Sequence, residues 1–205
     1  MKSQRTSTPA DDKLLAATRE AVVVHGVRRT TANDIAERAG ISRMTFYRRM
    51  GSVDNAVLAA LTEEFRRYAG VAGHPASGTA RRQLVHFAVE SVRVFATSEL
   101  IASIAERDPE FLIPYVTDRF GASQQIVLDR LQALLDAGAA DGSIEASAGT
   151  ATTVLLAVQG VALSSRVLLK SGSFEGTVAE LGKMLERFLT PSGATADGAV
   201  RAGGE

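Results

Sequence analysis

Eight consecutive residues, Ser42 to Arg49, carry most of what this chain can offer a polyanion. Arg43, Arg48 and Arg49 supply three guanidinium groups, and Ser42, Thr45 and Tyr47 supply three hydroxyls, with the apolar Met44 and Phe46 between them. Guanidinium forks pair with phosphate oxygens or with a guanine edge, and hydroxyls donate to phosphates and sugars. The chemistry implied is recognition of nucleic acid, not turnover. Catalytic alternatives are thin. His25, His74 and His86 are scattered and show no metal-ligand spacing. Ser164-Ser165 has no partner base, Asp108, Glu110 and Asp118 read as helix-end and surface charges around Pro109, and no glycine-rich phosphate loop is present. With no cysteine, a disulfide framework, a thiolate zinc site and a thiol nucleophile are all excluded. No catalytic residue, cofactor or metal is expected.

The elements that must hold these groups are short and well punctuated. Thr31 is a good N-cap, and Asp34, three residues on, sits where a carboxylate can cap back and complement the helix dipole. Ile35, Ala36 and Ala39 give a small apolar face, Gly40 suits an exit through positive φ, and Ser42 caps the next helix. A capped helix, a glycine turn and a second capped, cationic helix form the layout of a helix-turn-helix. A helical hairpin with a solvated basic face, serving as a protein-interaction module, would show part of the same pattern.

Charge separates along the chain. Residues 1–69 hold 12 Lys and Arg against 8 Asp and Glu (+4), and the remainder 11 against 15 (−4), which together make the 23 and 23 of the whole. A basic end on an acidic body suits a protein that meets phosphates with one end. The 205 residues, 45% hydrophobic, suffice for one large or two small domains. No apolar run nears the ~20 residues of a membrane helix, and the polar Met1–Pro9 stretch has no signal-peptide core. No membrane association and a cytoplasmic location are expected by default.

In chain order, residues 1–10 read as a disordered arm, and Asp11 to His25 as a helix ended by Gly26, its Val22-Val23-Val24 run held by burial. Ser52 caps a connecting helix to Ala69, with Val57, Leu61, Phe65 and Tyr68 on one face, and Gly70 to Gly78 breaks it. Further helices span about Thr79 to Thr97 and Glu99 to Arg107. A bent helical stretch follows from Pro109 to Asp136, then an Ala137 to Gly142 loop. Ser147 to Lys170 and Phe174 to Leu189 complete the set, and residues 191–205 read as a disordered tail. No strand pattern stands out; the chain is expected to be all-α.

Residues Leu14 to Leu61 resemble the N-terminal domain of the TetR family of transcriptional repressors. The likeness lies in Leu14-Leu15, Ala17, Gly26, Thr31, Asp34-Ile35-Ala36, Ala39-Gly40-Ile41-Ser42 and Thr45-Phe46-Tyr47. It implies about nine helices: a helix-turn-helix DNA-binding domain at 11–51 and a helical ligand-binding and dimerisation domain at 52–190. It also implies a homodimeric repressor on a palindromic double-stranded DNA operator, released by a small molecule. By the same resemblance, Thr31, Ser42, Thr45, Tyr47 and Arg49 fall at phosphate or sugar contacts, and Arg43 and Arg48 at base edges. Met44 stands where glycine is frequent, so the helix either approaches the groove less closely or adds an apolar contact, as to a thymine methyl. Met50 replaces a usual Phe, and Val53 a common Lys. The family's effector cavity would be lined by Phe65, Phe87, Phe95, Phe111, Tyr115 and Phe120. Gln124, Gln159 and the Tyr115 hydroxyl would orient a hydrophobic or amphipathic effector, fatty-acyl or aromatic. Val154, Ala157, Val161, Leu181, Leu185 and Phe188, on the last two long helices, would form the dimer interface.

Overall fold

The computed structural model describes residues 9–72, 78–113 and 121–192, and among them every regular element is helical. In order these are α1 (Pro9–His25), α2 (Ala32–Ala39), α3 (Arg43–Met50), α4 (Val53–Ala72), α5 (Ala80–Thr97) and α6 (Glu99–Arg107). A 3-10 turn (Pro109–Phe111) follows, then α7 (Ala122–Ala140), α8 (Thr150–Leu163), α9 (Ser165–Lys170) and α10 (Phe174–Leu189). The chain divides into two compact units, Met1–Tyr68 with Val94–Ile126, and Ala69–Arg93 with Val127–Glu205. The helix-turn-helix expected at 11–51 thus lies inside a larger unit, to which α6 also belongs.

Two apolar clusters build the first unit. In one, Leu14, Ile35 and Phe46, all fully buried, are surrounded by Ala17, Ala21, Ala32, Ala36, Ala39 and Ala56. Alanines at these crossings let α1, α2 and α3 approach closely, so three large side chains fill the space between them. Ile41, Met50 and Val53 close its edge. Met50 is thus half-buried against this cluster. The other cluster joins Val22, Val27, Val57, Leu61, Leu100, Ile101 and Ile104 from α1, α4 and α6 and the turn after α1. Val22 is fully buried, which holds the β-branched end of α1 in helical form, while Val24 is 53% exposed.

Polar groups from α6 lock onto the end of α1. The Ser103 hydroxyl donates to Val22 O at 2.8 Å, and Arg107 Nη1 donates to Val24 O at 2.5 Å. Asp108, read from sequence as a surface charge, is instead buried, and its carboxylate accepts the Val27 N–H at 2.6 Å and the Arg28 N–H at 3.4 Å. Glu64 on α4 is likewise buried and accepts from the Ser98 hydroxyl at 2.8 Å and from Arg67 at 2.7 Å, with Arg19 of α1 at 3.5 Å.

The second unit buries Leu84, Phe87 and Ala88 of α5, Leu131, Leu134 and Leu135 of α7, Val154 and Leu155 of α8, and Val178, Leu181, Leu185 and Leu189 of α10. Asp141 supplies the start of α5 with a cap from a distant loop, accepting the Ala80 N–H at 2.8 Å. Arg81 then donates to the Thr190 hydroxyl at 2.9 Å and pairs with Glu186 at 3.1 Å, fixing the end of α10.

Several sequence expectations shift. α4 runs through Gly70 to Ala72 rather than ending there. The helical stretch expected from Pro109 to Asp136 opens with a 3-10 turn and includes regular helix from Ala122, and 114–120 lie outside the described residues. Ala137 to Ala140 belong to α7, not to a loop. Gly138 is glycine because Ile144 packs over it, its Cδ1 2.2 Å from where a Cβ would stand. The long helix expected from Ser147 to Lys170 begins at Thr150 and is interrupted at Ser164. Gly160 and the Ser164-Ser165 pair are poor helix formers at that point. The arm and tail expected at 1–10 and 191–205 fall mostly outside the described residues.

Candidate nucleic-acid interface

The site is built on two caps and one turn. Thr31, in extended backbone, accepts the Asp34 N–H on its hydroxyl at 3.1 Å and so opens α2. The reciprocal half of a capping box is not made. Asp34 turns along the helix instead, accepting from Arg38 Nε at 2.9 Å, with His25 Nε2 3.7 Å away. At the other end Gly40 adopts φ 67°, ψ 37°. Its N–H donates to Glu37 O at 3.0 Å, and the Ile41 N–H donates to Ala36 O at 2.9 Å, the paired bonds of a Schellman turn. Ile41 then packs on the apolar cluster, which fixes the angle at which the chain leaves the elbow.

Ser42 opens α3 by accepting the Thr45 N–H on its hydroxyl at 3.1 Å, and the two hydroxyls lie 3.0 Å apart. Phe46 is fully buried, and that one side chain decides which way the helix faces. With Phe46 inward, Ser42, Arg43, Met44, Tyr47, Arg48 and Arg49 are exposed, Thr45 half-buried, and Thr31 exposed beside them. No acidic residue sits in the first turn of α3. All eight residues expected to meet DNA are therefore accessible together on the α2–α3 pair.

Two of the cations have internal partners. The Arg43 guanidinium lies 5.5 Å from the Tyr47 ring centroid, with Nη2 3.5 Å from the Tyr47 hydroxyl. Tyr47 in turn meets Phe46 edge-on, centroids 5.4 Å apart. Arg49 Nη1 is 3.5 Å from Asp11 Oδ1 at the start of α1. These contacts orient long side chains before any ligand arrives, which lowers the entropy cost of binding.

The expected effector residues are distributed over both units. Phe65 and Phe95 meet with centroids 6.1 Å apart, and both pack, with Phe111, on the cluster that α1, α4 and α6 share. Phe87 is 2% exposed in the second unit, where Gln159 is half-buried. Gln124 is buried and accepts the Gly121 N–H at 2.8 Å, which fastens the start of α7. Tyr115 and Phe120 lie outside the described residues.

The expected dimer residues need correcting. Val154, Leu181 and Leu185 are 0%, 5% and 1% exposed, turned into the interior of a single chain, with no surface left for a partner. Ala157 and Val161 are half-buried, and Phe188 is exposed. The apolar surface of α8 and α10 comes instead from Leu156, Leu163, Met184 and Phe188, each between 39% and 50% exposed. Helix α8 is apolar nearly all round, so its periodicity does not tell inner face from outer. No described helix is long and apolar enough to cross a membrane.

Comparison with known proteins agrees with this geometry. Residues 14–54, from α1 to the start of α4, match the family model of bacterial regulatory proteins, tetR family. Over 179 residues the chain is 32% identical to an uncharacterized HTH-type transcriptional regulator of Mycobacterium bovis, spanning 86% of this chain and 93% of that protein. Among solved structures, a TetR transcription regulator from Haloarcula marismortui superposes with a TM-score of 0.66 at 18% identity, over 88% of this chain and 98% of that one. The transcriptional regulator FadR from Bacillus subtilis, in complex with stearoyl-CoA, superposes with a TM-score of 0.63 at 12% identity, over 87% and 98%. The structural likenesses speak for the fold. Together with the capped elbow, the buried Phe46 and the mycobacterial match, they lead to one conclusion: the chain belongs to the TetR family of transcriptional regulators.

Proposed function

We propose that this regulator is a repressor that binds a palindromic operator as a homodimer and is released by a small apolar or amphipathic effector. The observation that carries this reading is the orientation of α3, with Phe46 inward and Arg43, Met44, Tyr47 and Arg48 outward. In this reading Arg43 and Arg48 reach base edges, where Arg on guanine O6/N7 discriminates by about 1–3 kcal/mol. Thr31, Ser42, Thr45, Tyr47 and Arg49 contact phosphates or sugars. Residues 11–51 read DNA, and 52–190 serve the effector and the partner subunit. Leu156, Leu163, Met184 and Phe188 form the surface that a two-fold mate covers, which sets two α3 helices about 34–36 Å apart, or a multiple of it.

The FadR structure bound to stearoyl-CoA favours a fatty-acyl effector here, with Phe65, Phe95 and Phe111 of the first unit for its chain. Such an effector acts by binding better to a state whose α3 spacing no longer fits the operator; a coupling of about 1–3 kcal/mol is typical. An electrophoretic shift with the protein's own promoter region tests the reading. A retarded complex that weakens steeply with salt, and that long-chain acyl-CoA dissolves, is the expected result. Absence of any retarded complex at low salt overturns it.

A further inference from the structure

We propose that Met44 recognises the C5-methyl group of a thymine and so sets one position of the operator. The proposal rests on the reading above that α3 enters the major groove. Met44 is 76% exposed, more than any other large apolar side chain among the described residues. Its own fold makes no use of it. Met50, six residues on, already supplies the helix's inward methionine and, like Ile41 and Val53, packs against the cluster around Phe46. At about 100° per residue, Met44 lies roughly 140° from the direction of Phe46 and Met50, and Arg48 roughly 180°. These two residues therefore occupy the middle of the outward face. Arg43 lies beside the Tyr47 ring, and Met44 is the exposed apolar side chain of the first turn of α3.

Chemistry narrows the occupant. A thioether has no hydrogen to donate and is only a weak acceptor, so it gains nothing from a phosphate. Base edges in the major groove present donors, acceptors and a single apolar group, the thymine methyl. The N-terminal residues of a recognition helix are those that reach base edges, and Met44 is the second residue of α3. Methionine is also flexible and polarizable, suited to closing over a small methyl at the end of a long reach.

The test uses the full chain and a duplex that it selects from a random pool. Each thymine is replaced in turn by uracil, which removes only the C5-methyl. One position per half-site should weaken binding by about three- to fivefold, the value of burying one methyl-sized group. Met44→Ala should bind the thymine and uracil duplexes alike while keeping its salt dependence, and Met44→Leu should restore the discrimination. Uracil that weakens no position, or that weakens Met44→Ala as much as the parent, overturns the proposal and leaves DNA binding standing. A cytosine-to-5-methylcytosine replacement that strengthens binding where no uracil weakens it moves the contact to methylated cytosine, and also overturns it. Failure to select any duplex removes the DNA reading and the proposal together.

Discussion

The Asp108 carboxylate accepts the backbone N–H of Val27 at 2.6 Å, joining positions 81 residues apart in the chain. The bond ties the end of α6 to the turn that delivers the chain into the helix-turn-helix. Gly26 makes room for it: at φ +79° a side chain would be strained, and its Cβ would lie 2.8 Å from Asp108 Oδ2. Asp108→Ala leaves a buried N–H without its acceptor and should lower stability by about 1–3 kcal/mol. Asp108→Asn keeps an amide oxygen and should lose less. Urea denaturation of the three proteins checks the order; equal losses for Ala and Asn would show that the bond to Val27 is not what matters.

Arg43 and Arg49 should fail in different ways. Arg43→Ala is expected to relax base preference at one position in each half-site. Arg49→Ala should weaken binding to all sequences alike and lower the salt slope by about one per subunit. The Asp11 carboxylate beside Arg49 holds that guanidinium at the edge of α3. Binding measured across salt on specific and scrambled duplexes separates the two behaviours. Uniform losses from both variants would mean that Arg43 is not a base reader.

What the sequence made legible were features that a single residue or its near neighbours impose. Gly40 had to be left-handed, and Ser42 and Thr31 had to cap, because each answers to a backbone need within four residues. Helices α6 and α10 likewise have the limits read from sequence, Glu99 to Arg107 and Phe174 to Leu189. What stayed hidden depends on partners far away or on competition between equals. Asp108 looks like any helix-end acid until Val27 is brought beside it. Gly138 looks like a loop residue until Ile144 folds over it. Asp34 chose the Arg38 fork over the Thr31 N–H, and both lie within one helical turn of it.

The outer faces of α8 and α10 give a contrast between neighbours on the same helix. Phe188→Glu places a charge on exposed apolar surface and, if the proposed homodimer forms through it, should yield monomers with helicity retained. Leu185→Ala removes a side chain that is 1% exposed and should cost about 2–5 kcal/mol of stability through the cavity it leaves. Light scattering read beside circular dichroism distinguishes these fates. A Phe188→Glu protein of unchanged mass would remove α10 from the interface.

Acid should loosen the second unit where α5 begins. The Asp141 carboxyl titrates below its ordinary value of 3.8, chiefly because it accepts the Ala80 N–H, and further because it accepts from Ser143. A carboxylate depressed by folding stabilises the folded state fully above its unfolded value, and that contribution fades as pH falls through 3.8 toward the folded value. The charged form also sits at the positive end of α5, where it is favoured again. Asp141→Asn keeps an oxygen for Ala80 but has no proton to gain. Its melting temperature should lie below that of the parent at neutral pH, and the gap should close as the buffer is taken from about pH 6 to about pH 3. A gap that stays constant over that range would show that the Asp141 charge does not contribute, and that the cap on α5 acts through hydrogen bonding alone.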